Sequence, residues 1–315
     1  MTKFEYQHVF SDEYNEYLEK ANQLLFDISM QFNKSVDKLR YDDIINYFRI
    51  NFNVHFAFFE ADPTELYGDE GWPKTQPDSS WIKYKDTIQS ADFCFLDSEI
   101  VDRISGVTIP EGNRTLILIN QDRVYPRIIF TILHELCHFY FHIRDKDKKR
   151  AFISLTNDQI EGQYSDELIP FENEANIIGS ILFCPEERLE YMLAKKYTFK
   201  DMCRNTGMSE PAMHNRLLNY FDHILKLPYY LALNYVWKFR KDDSYTRNLI
   251  AHKVKLSQHE RKNQEKTIKL LQMQRAYVDK LQGKPFWDSI LKEMNYLKDP
   301  IYDYSNFPKR YQDKD

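Results

Sequence analysis

The chain has 315 residues, 43% of them hydrophobic and 29% charged, with a net charge of −5. That is the composition of a globular protein large enough for more than one domain. There is no run of about 18 apolar residues that would span a membrane, and the acidic, aromatic start MTKFEYQHVF has no basic segment leading into an apolar one, so no secretory signal is expected. The four cysteines (Cys94, Cys137, Cys184, Cys203) are far apart and form no Cys-x-x-Cys pair. They read as free thiols of a cytoplasmic protein rather than as a disulfide framework.

From the N-terminus, apolar residues at Leu18, Leu24, Leu25, Ile28 and Phe32, then at Ile44, Ile45 and Phe48, predict helix over residues 12–50. Residues 52–60, FNVHFAFFE, predict an aromatic strand. Pro63, Gly68, Gly71, Pro73 and Pro77 punctuate the following stretch too often for regular structure. Two β-branched runs, 104–109 (ISGVTI) and 115–120 (TLILIN), flank Pro110-Glu111-Gly112-Asn113 and predict a hairpin.

The next helix is expected to start near Asp122–Pro126 and to reach about Ile143, with Pro126 in its first turn. Ile129, Ile132, Leu133, Leu136, Tyr140 and Ile143 form one apolar arc, suited to packing on a sheet. Thr131, His134, Glu135, His138 and His142 occupy the opposite arc. Further helices are expected over Phe171 to about Phe183, stopped by Cys184-Pro185, and over about Glu186–Lys196. Residues 199–221 read as helix, turn, helix, with Ser209 as N-cap, and 247–282 as one long helix stopped by Gly283 and Pro285.

His134-Glu135-Leu136-Cys137-His138 carries the chemistry. On a helix the two histidines of His-Glu-x-x-His lie one turn apart on one face, where both can bind a tetrahedral Zn²⁺. Glu135 lies about 100° round the helix, placed to reach a water beside the metal rather than the metal itself. A catalytic zinc takes three protein ligands, so a third is needed. Glu172 and Glu174, on the following helix, are the best candidates. They point about 200° apart on a helix, so only one can face the metal. Glu186 and Glu187 follow the Pro185 break and fit less well.

The text around the motif resembles the ImmA/IrrE family of zinc metallopeptidases, a gluzincin-like group. The resemblance rests on Ser105-Gly106, on Ile117-Leu118-Ile119-Asn120, and on Phe130-Thr131 leading into the motif. It also rests on His142, Glu174-Ala175-Asn176, Leu182-Phe183-Cys184-Pro185, Gly207-Met208-Ser209 and Arg216-Leu217. It covers about residues 15–222. It implies one Zn²⁺ per chain held by His134, His138 and Glu174, with Glu135 as general base. It also implies a regulatory endopeptidase that cuts a helix-turn-helix transcriptional repressor and so relieves repression of a mobile element or stress regulon. The implied fold is α+β: a small mixed or antiparallel sheet packed on the motif helix, then a mostly helical subdomain and a helical C-terminal extension. The expected divisions are 1–60, 61–185, 186–225 and 226–315. Cys137 stands where the family usually has Gly or Ala, and reads as a small buried hydrophobe or, alternatively, as an inhibitory or redox-sensitive ligand approaching the zinc. An oxyanion donor is sought among His142, Tyr140 and Tyr164.

Two other readings compete. Residues 199–221 offer His214, Asn215 and Arg216 to duplex DNA, but a single Arg is thin support for phosphate contacts. Alternatively, a non-catalytic antirepressor would sequester the repressor without cutting it. Residues 1–225 carry 24 Lys/Arg against 37 Asp/Glu, whereas 226–315 carry 19 against 11. The basic tail reads as a separate module, an intramolecular contact or a solvated helix surface.

Overall fold

The computed structural model describes residues 9–61, 92–111, 114–144, 152–155 and 167–282. Contacts divide the chain into two units, Met1–Ala251 and His252–Asp315. In the first, α1 (Ser11–Phe32) buries Tyr14, Tyr17, Ala21, Leu24, Leu25 and Ile28, a stripe at three- and four-residue spacing. Tyrosines thus occupy part of the face expected of Leu18 and Phe32. The helix stops at Asn33, whose left-handed φ of 50° turns its N–H back onto Met30. A 3-10 turn, Val36–Lys38, leads to α2 (Tyr41–Asn51).

Among the described residues five strands follow: β1 (Val54–Ala61), β2 (Asp92–Leu96), β3 (Ile104–Glu111), β4 (Arg114–Asn120) and β5 (Phe152–Leu155). Their order is β2-β1-β4-β3-β5. β1 is parallel to β2 and β4, whereas β3 is antiparallel to β4 and β5. The expected hairpin is present as β3–β4, with Gly106 opposite Ile119 and Thr108 opposite Ile117. β1 reads as an unbroken apolar run because Phe56, Ala57, Phe58 and Phe59 are all buried, as an interior strand covered on both faces requires. The Pro- and Gly-rich stretch of 62–91 and Tyr164 lie outside the described residues.

A short helix, α3 (Ser98–Arg103), precedes β3. Asn120, at the end of β4, ties this corner together. Its Nδ2 donates to the carbonyls of Val101 and Ile104, both at 2.7 Å, and its Oδ1 accepts from the N–H of Asp122 at 2.9 Å. One buried amide therefore fixes where β3 starts and where the chain leaves β4.

The chain then enters α4 (Tyr125–Cys137), which continues as a π-helical turn, His138–Ile143. Part of its polar arc lies against the sheet, which the two-arc reading did not anticipate. Thr131 and Glu135, from that arc, are the residues against β3 at Gly106. The apolar Ile132, Leu133 and Leu136 are fully buried, and Phe139 and Tyr140 meet Phe48 of α2. The helix is covered on every side by the sheet, α2 and α5 (Ile169–Phe183). A helix enclosed in this way leaves its polar arc inside the protein, where it must find partners.

The remaining helices are α6 (Glu186–Ala194), α7 (Phe199–Thr206), α8 (Glu210–Asn219), α9 (Tyr229–Arg240) and α10 (Ser244–Gln282). The α7–α8 turn forms as its residues dictate. Gly207 takes φ 81°, and Ser209 Oγ accepts from the N–H of Ala212 at 3.3 Å. The second unit is described as far as Gln282 and is helical there, with Leu256, Leu270 and Met273 exposed. Among the described residues, no helix is long and apolar enough to cross a membrane.

Arg216 of α8 is fully buried. Its Nε donates to the Cys184 carbonyl at 3.0 Å and its Nη1 to the Tyr14 hydroxyl at 3.3 Å, while Tyr14 donates to Glu186 Oε1 at 3.3 Å. His214 is also buried, edge-on to Trp237. The helix singled out for a DNA reading therefore turns its one arginine inward, where it ties α8 to α1 and to the end of α5.

Burial pushes the Glu186 carboxyl up from its ordinary value of 4.5 to about 7, against the pull of Arg216. Across that window the folded chain keeps a proton that the unfolded chain has released, so Glu186 lowers stability as pH rises and has no further effect above it. We expect Glu186→Gln to remove this decline. Urea unfolding from about pH 5 to about pH 8 should show the variant gaining on the parent with rising pH; a constant difference would contradict the account.

Candidate metal centre

α4 sets His134 and His138 one turn apart, with their Nε2 atoms 2.9 Å from each other. α5 lies close against α4: a Cβ built on Gly179 would sit 3.4 Å from the backbone nitrogen of His134. Near the start of α5, this crossing delivers Glu172. Its Oε2 lies 3.2 Å from His134 Nε2 and its Oε1 3.3 Å from His138 Nε2. All three side chains are buried, and their ligand atoms fall within 4.8 Å of one another. His134 Nδ1 is buried with no hydrogen-bond partner among the described residues.

Two imidazole nitrogens and a carboxylate oxygen form a donor set suited to a borderline divalent ion, zinc above all. The local electrostatics favour the ligand forms of the second histidine and the glutamate. Burial pushes His138 down to about 3, so it is neutral over the physiological range. Burial also raises the Glu172 carboxyl, but hydrogen bonds from His134 and His138 outweigh it and hold the group at about 2. Phe152 of β5 stacks on the His138 ring at 4.3 Å and closes off one of its faces.

Glu174, the ligand taken from the resemblance, is placed elsewhere. Its Oε1 lies 2.9 Å from Lys20 Nζ, and its Oε2 lies 3.4 Å from His142 Nε2. Only one of the two glutamates faces the His134–His138 pair, as the helical offset requires, and it is Glu172. The choice depends on the rotation of α5 over α4, which residue spacing does not encode. Lys20, some 150 residues upstream, then claims the other carboxylate.

Glu135 is fully buried on the sheet side of α4. Thr108 of β3 donates its hydroxyl to Glu135 Oε2 at 2.5 Å. Gly106, two residues earlier, lies so close that an added Cβ would come 2.6 Å from Thr131 Cγ2 and 2.7 Å from Glu135 Oε1. The Ser105-Gly106 pair thus has a physical role: only a residue without a side chain lets β3 approach this carboxylate. Thr108 was missed as a site residue because it reads as one more β-branched strand residue, and Lys20 because it reads as a surface helix lysine.

Of the residues considered as oxyanion donors, His142 is turned towards His138, with their Nδ1 atoms 2.9 Å apart. Tyr140 packs against Phe48 and Phe52 under the Arg144 guanidinium. Cys137 is fully buried, and burial pushes its thiol well above its ordinary value, which suits a packed hydrophobe.

Residues 96–218 match the family model described as Peptidase_M78, the IrrE N-terminal-like domain. Over these residues the chain is similar to the ImmA/IrrE family. The match takes in β3, β4, the motif helix, both glutamates and Arg216, and it excludes α1 with Lys20. No curated protein gives a match to the chain.

Gly106→Ala should cost ~1–3 kcal/mol in denaturant unfolding, because backbone and buried side chains must move apart. Gly179→Ala is the control: its Cβ would meet only ordinary contacts, 3.4 Å or more away. Equal stability of the two variants would show that the close approach at Glu135 is wrong.

Proposed function

We propose that this chain is a zinc-dependent metalloendopeptidase with Glu135 as its general base. The supporting observation is the buried His134–His138–Glu172 group on the same helix as a carboxylate anchored by Thr108. The peptidase domain accounts for the family match, and the donor set fits the ion the family implies. His134, His138 and Glu172 would hold the zinc. When bound, zinc polarises a substrate carbonyl and makes water a better proton donor and nucleophile.

The protein supplies the proton handling. Glu135 accepts the proton lost by the attacking water and returns it to the amine that leaves. Thr108 fixes one carboxylate oxygen as an acceptor and so orients the group before substrate arrives. Gly106 keeps β3 close enough for that hydroxyl to reach. Burial excludes bulk water, which strengthens each of these interactions.

The substrate we infer is a helix-turn-helix transcriptional repressor, cut to release the genes it silences. This reading is supported by the resemblance of the motif region to regulatory proteases that act in this way. The buried Arg216 and His214 weigh against direct DNA readout by α8.

The test is Glu135→Gln. We expect it to bind zinc like the parent and to cleave its repressor substrate at least ~10²-fold more slowly, the scale of a lost general base. Unchanged cleavage would rule out Glu135 as the base. Loss of cleavage with full derepression in cells would instead identify an antirepressor that sequesters its target.

A further inference from the structure

Behind the metal-facing nitrogens, a second set of polar groups runs from the surface of α1 to His138. Lys20 Nζ lies 2.8 Å from Glu16 and 2.9 Å from Glu174 Oε1. Glu174 Oε2 is 3.4 Å from His142 Nε2, an electrostatic contact outside standard hydrogen-bond geometry. His142 Nδ1 is 2.9 Å from His138 Nδ1. His138 and His142 are both buried, and Phe152 and Phe171 enclose the two rings.

Holding a metal through His138 Nε2 would fix the protons along this series. That nitrogen must then present its lone pair, so His138 carries its hydrogen on Nδ1 and donates it to His142 Nδ1. His142, accepting at Nδ1, then has its hydrogen on Nε2, the nitrogen that faces the Glu174 carboxylate. Lys20 stabilises the end of the series by keeping a positive charge beside Glu174.

We propose that Glu174 and His142, backed by Lys20, are positioning residues that set the tautomer and orientation of His138 for metal binding. This rests on the zinc reading above. It gives Glu174 a function without making it a ligand, and it extends the working site to α1, outside the matched domain. A histidine ligand fixed through its other nitrogen is both a better-oriented and a more basic donor.

The experiment measures zinc affinity by chelator competition on the full chain, with circular dichroism as the check on folding. His142→Phe fills the aromatic surroundings but can neither accept nor donate, and we expect it to bind zinc ~10–100-fold more weakly. His142→Gln can accept from His138 and donate to Glu174, and we expect it to stay within a few-fold of the parent. Glu174→Gln should weaken binding moderately, and Glu172→Gln should abolish it. In the parent, nitrogen NMR of histidine-labelled zinc protein should show His138 protonated at Nδ1. If His142→Phe binds as tightly as the parent, or if Glu174→Gln abolishes binding as Glu172→Gln does, the positioning role is overturned while the metal centre stands. If the parent does not bind zinc, or Glu172→Gln binds it normally, the metal reading fails and the positioning role falls with it.

Discussion

The structure depends on the complete enclosure of one helix. Once α4 is walled in by β3 and β4, by α2 and by α5, none of the polar side chains from Thr131 to His138 can be left to water. An unpartnered buried polar group costs roughly 1–3 kcal/mol, so most are met from a neighbouring element, while His134 Nδ1 and His142 Nε2 make no hydrogen bond among the described residues. Glu135 is satisfied by Thr108 on the sheet side, His134 and His138 by Glu172 on the α5 side, and His142 by its contacts with His138 and Glu174. The partners thus divide the motif, with Glu135 held on the sheet side and the two histidines on the α5 side.

That enclosure rests on backbone contact at two places, of which only the first excludes a side chain. At Gly106 the strand comes nearer to Glu135 than any side chain would permit. At Gly179 the two helices meet within van der Waals reach of the His134 backbone, which sets the height at which Glu172 crosses the histidines. Both arrangements are held from outside the motif. Asn120 fixes the start of β3, and Arg216 bonds the carbonyl of Cys184, just after the last turn of α5. The α7–α8 region therefore acts on the site as a brace, with its arginine turned inward.

Much of this was legible in the sequence, for identifiable reasons. Helix and strand periods located α1, α2, β1, the β3–β4 hairpin, α4 and α5, because each has an apolar face that must be buried. The His-Glu-x-x-His spacing placed His134, Glu135 and His138 on one helix with the two histidines a turn apart, because helical geometry is local. What could not be read depends on how elements cross. Glu172 and Glu174 are equivalent in spacing, and only the rotation of α5 over α4 decides between them. β2 and β5 are short and carry little pattern of their own. That part of the polar arc of α4 lies against β3 was not legible, because amphipathicity shows that a helix has two sides but not what packs on each. Lys20 became meaningful only through a contact with residue 174, which no local rule anticipates.

The central claim is that the ion is held by His134, His138 and Glu172, with Glu174 displaced to a supporting position. Anomalous diffraction at the zinc edge from crystals of the zinc-loaded protein tests it most directly. The account predicts a single strong peak per chain, within bonding distance of His134 Nε2, His138 Nε2 and the Glu172 carboxylate, with Glu174 still paired to Lys20. A peak bonded to Glu174 or to Cys137 in place of Glu172 would contradict it.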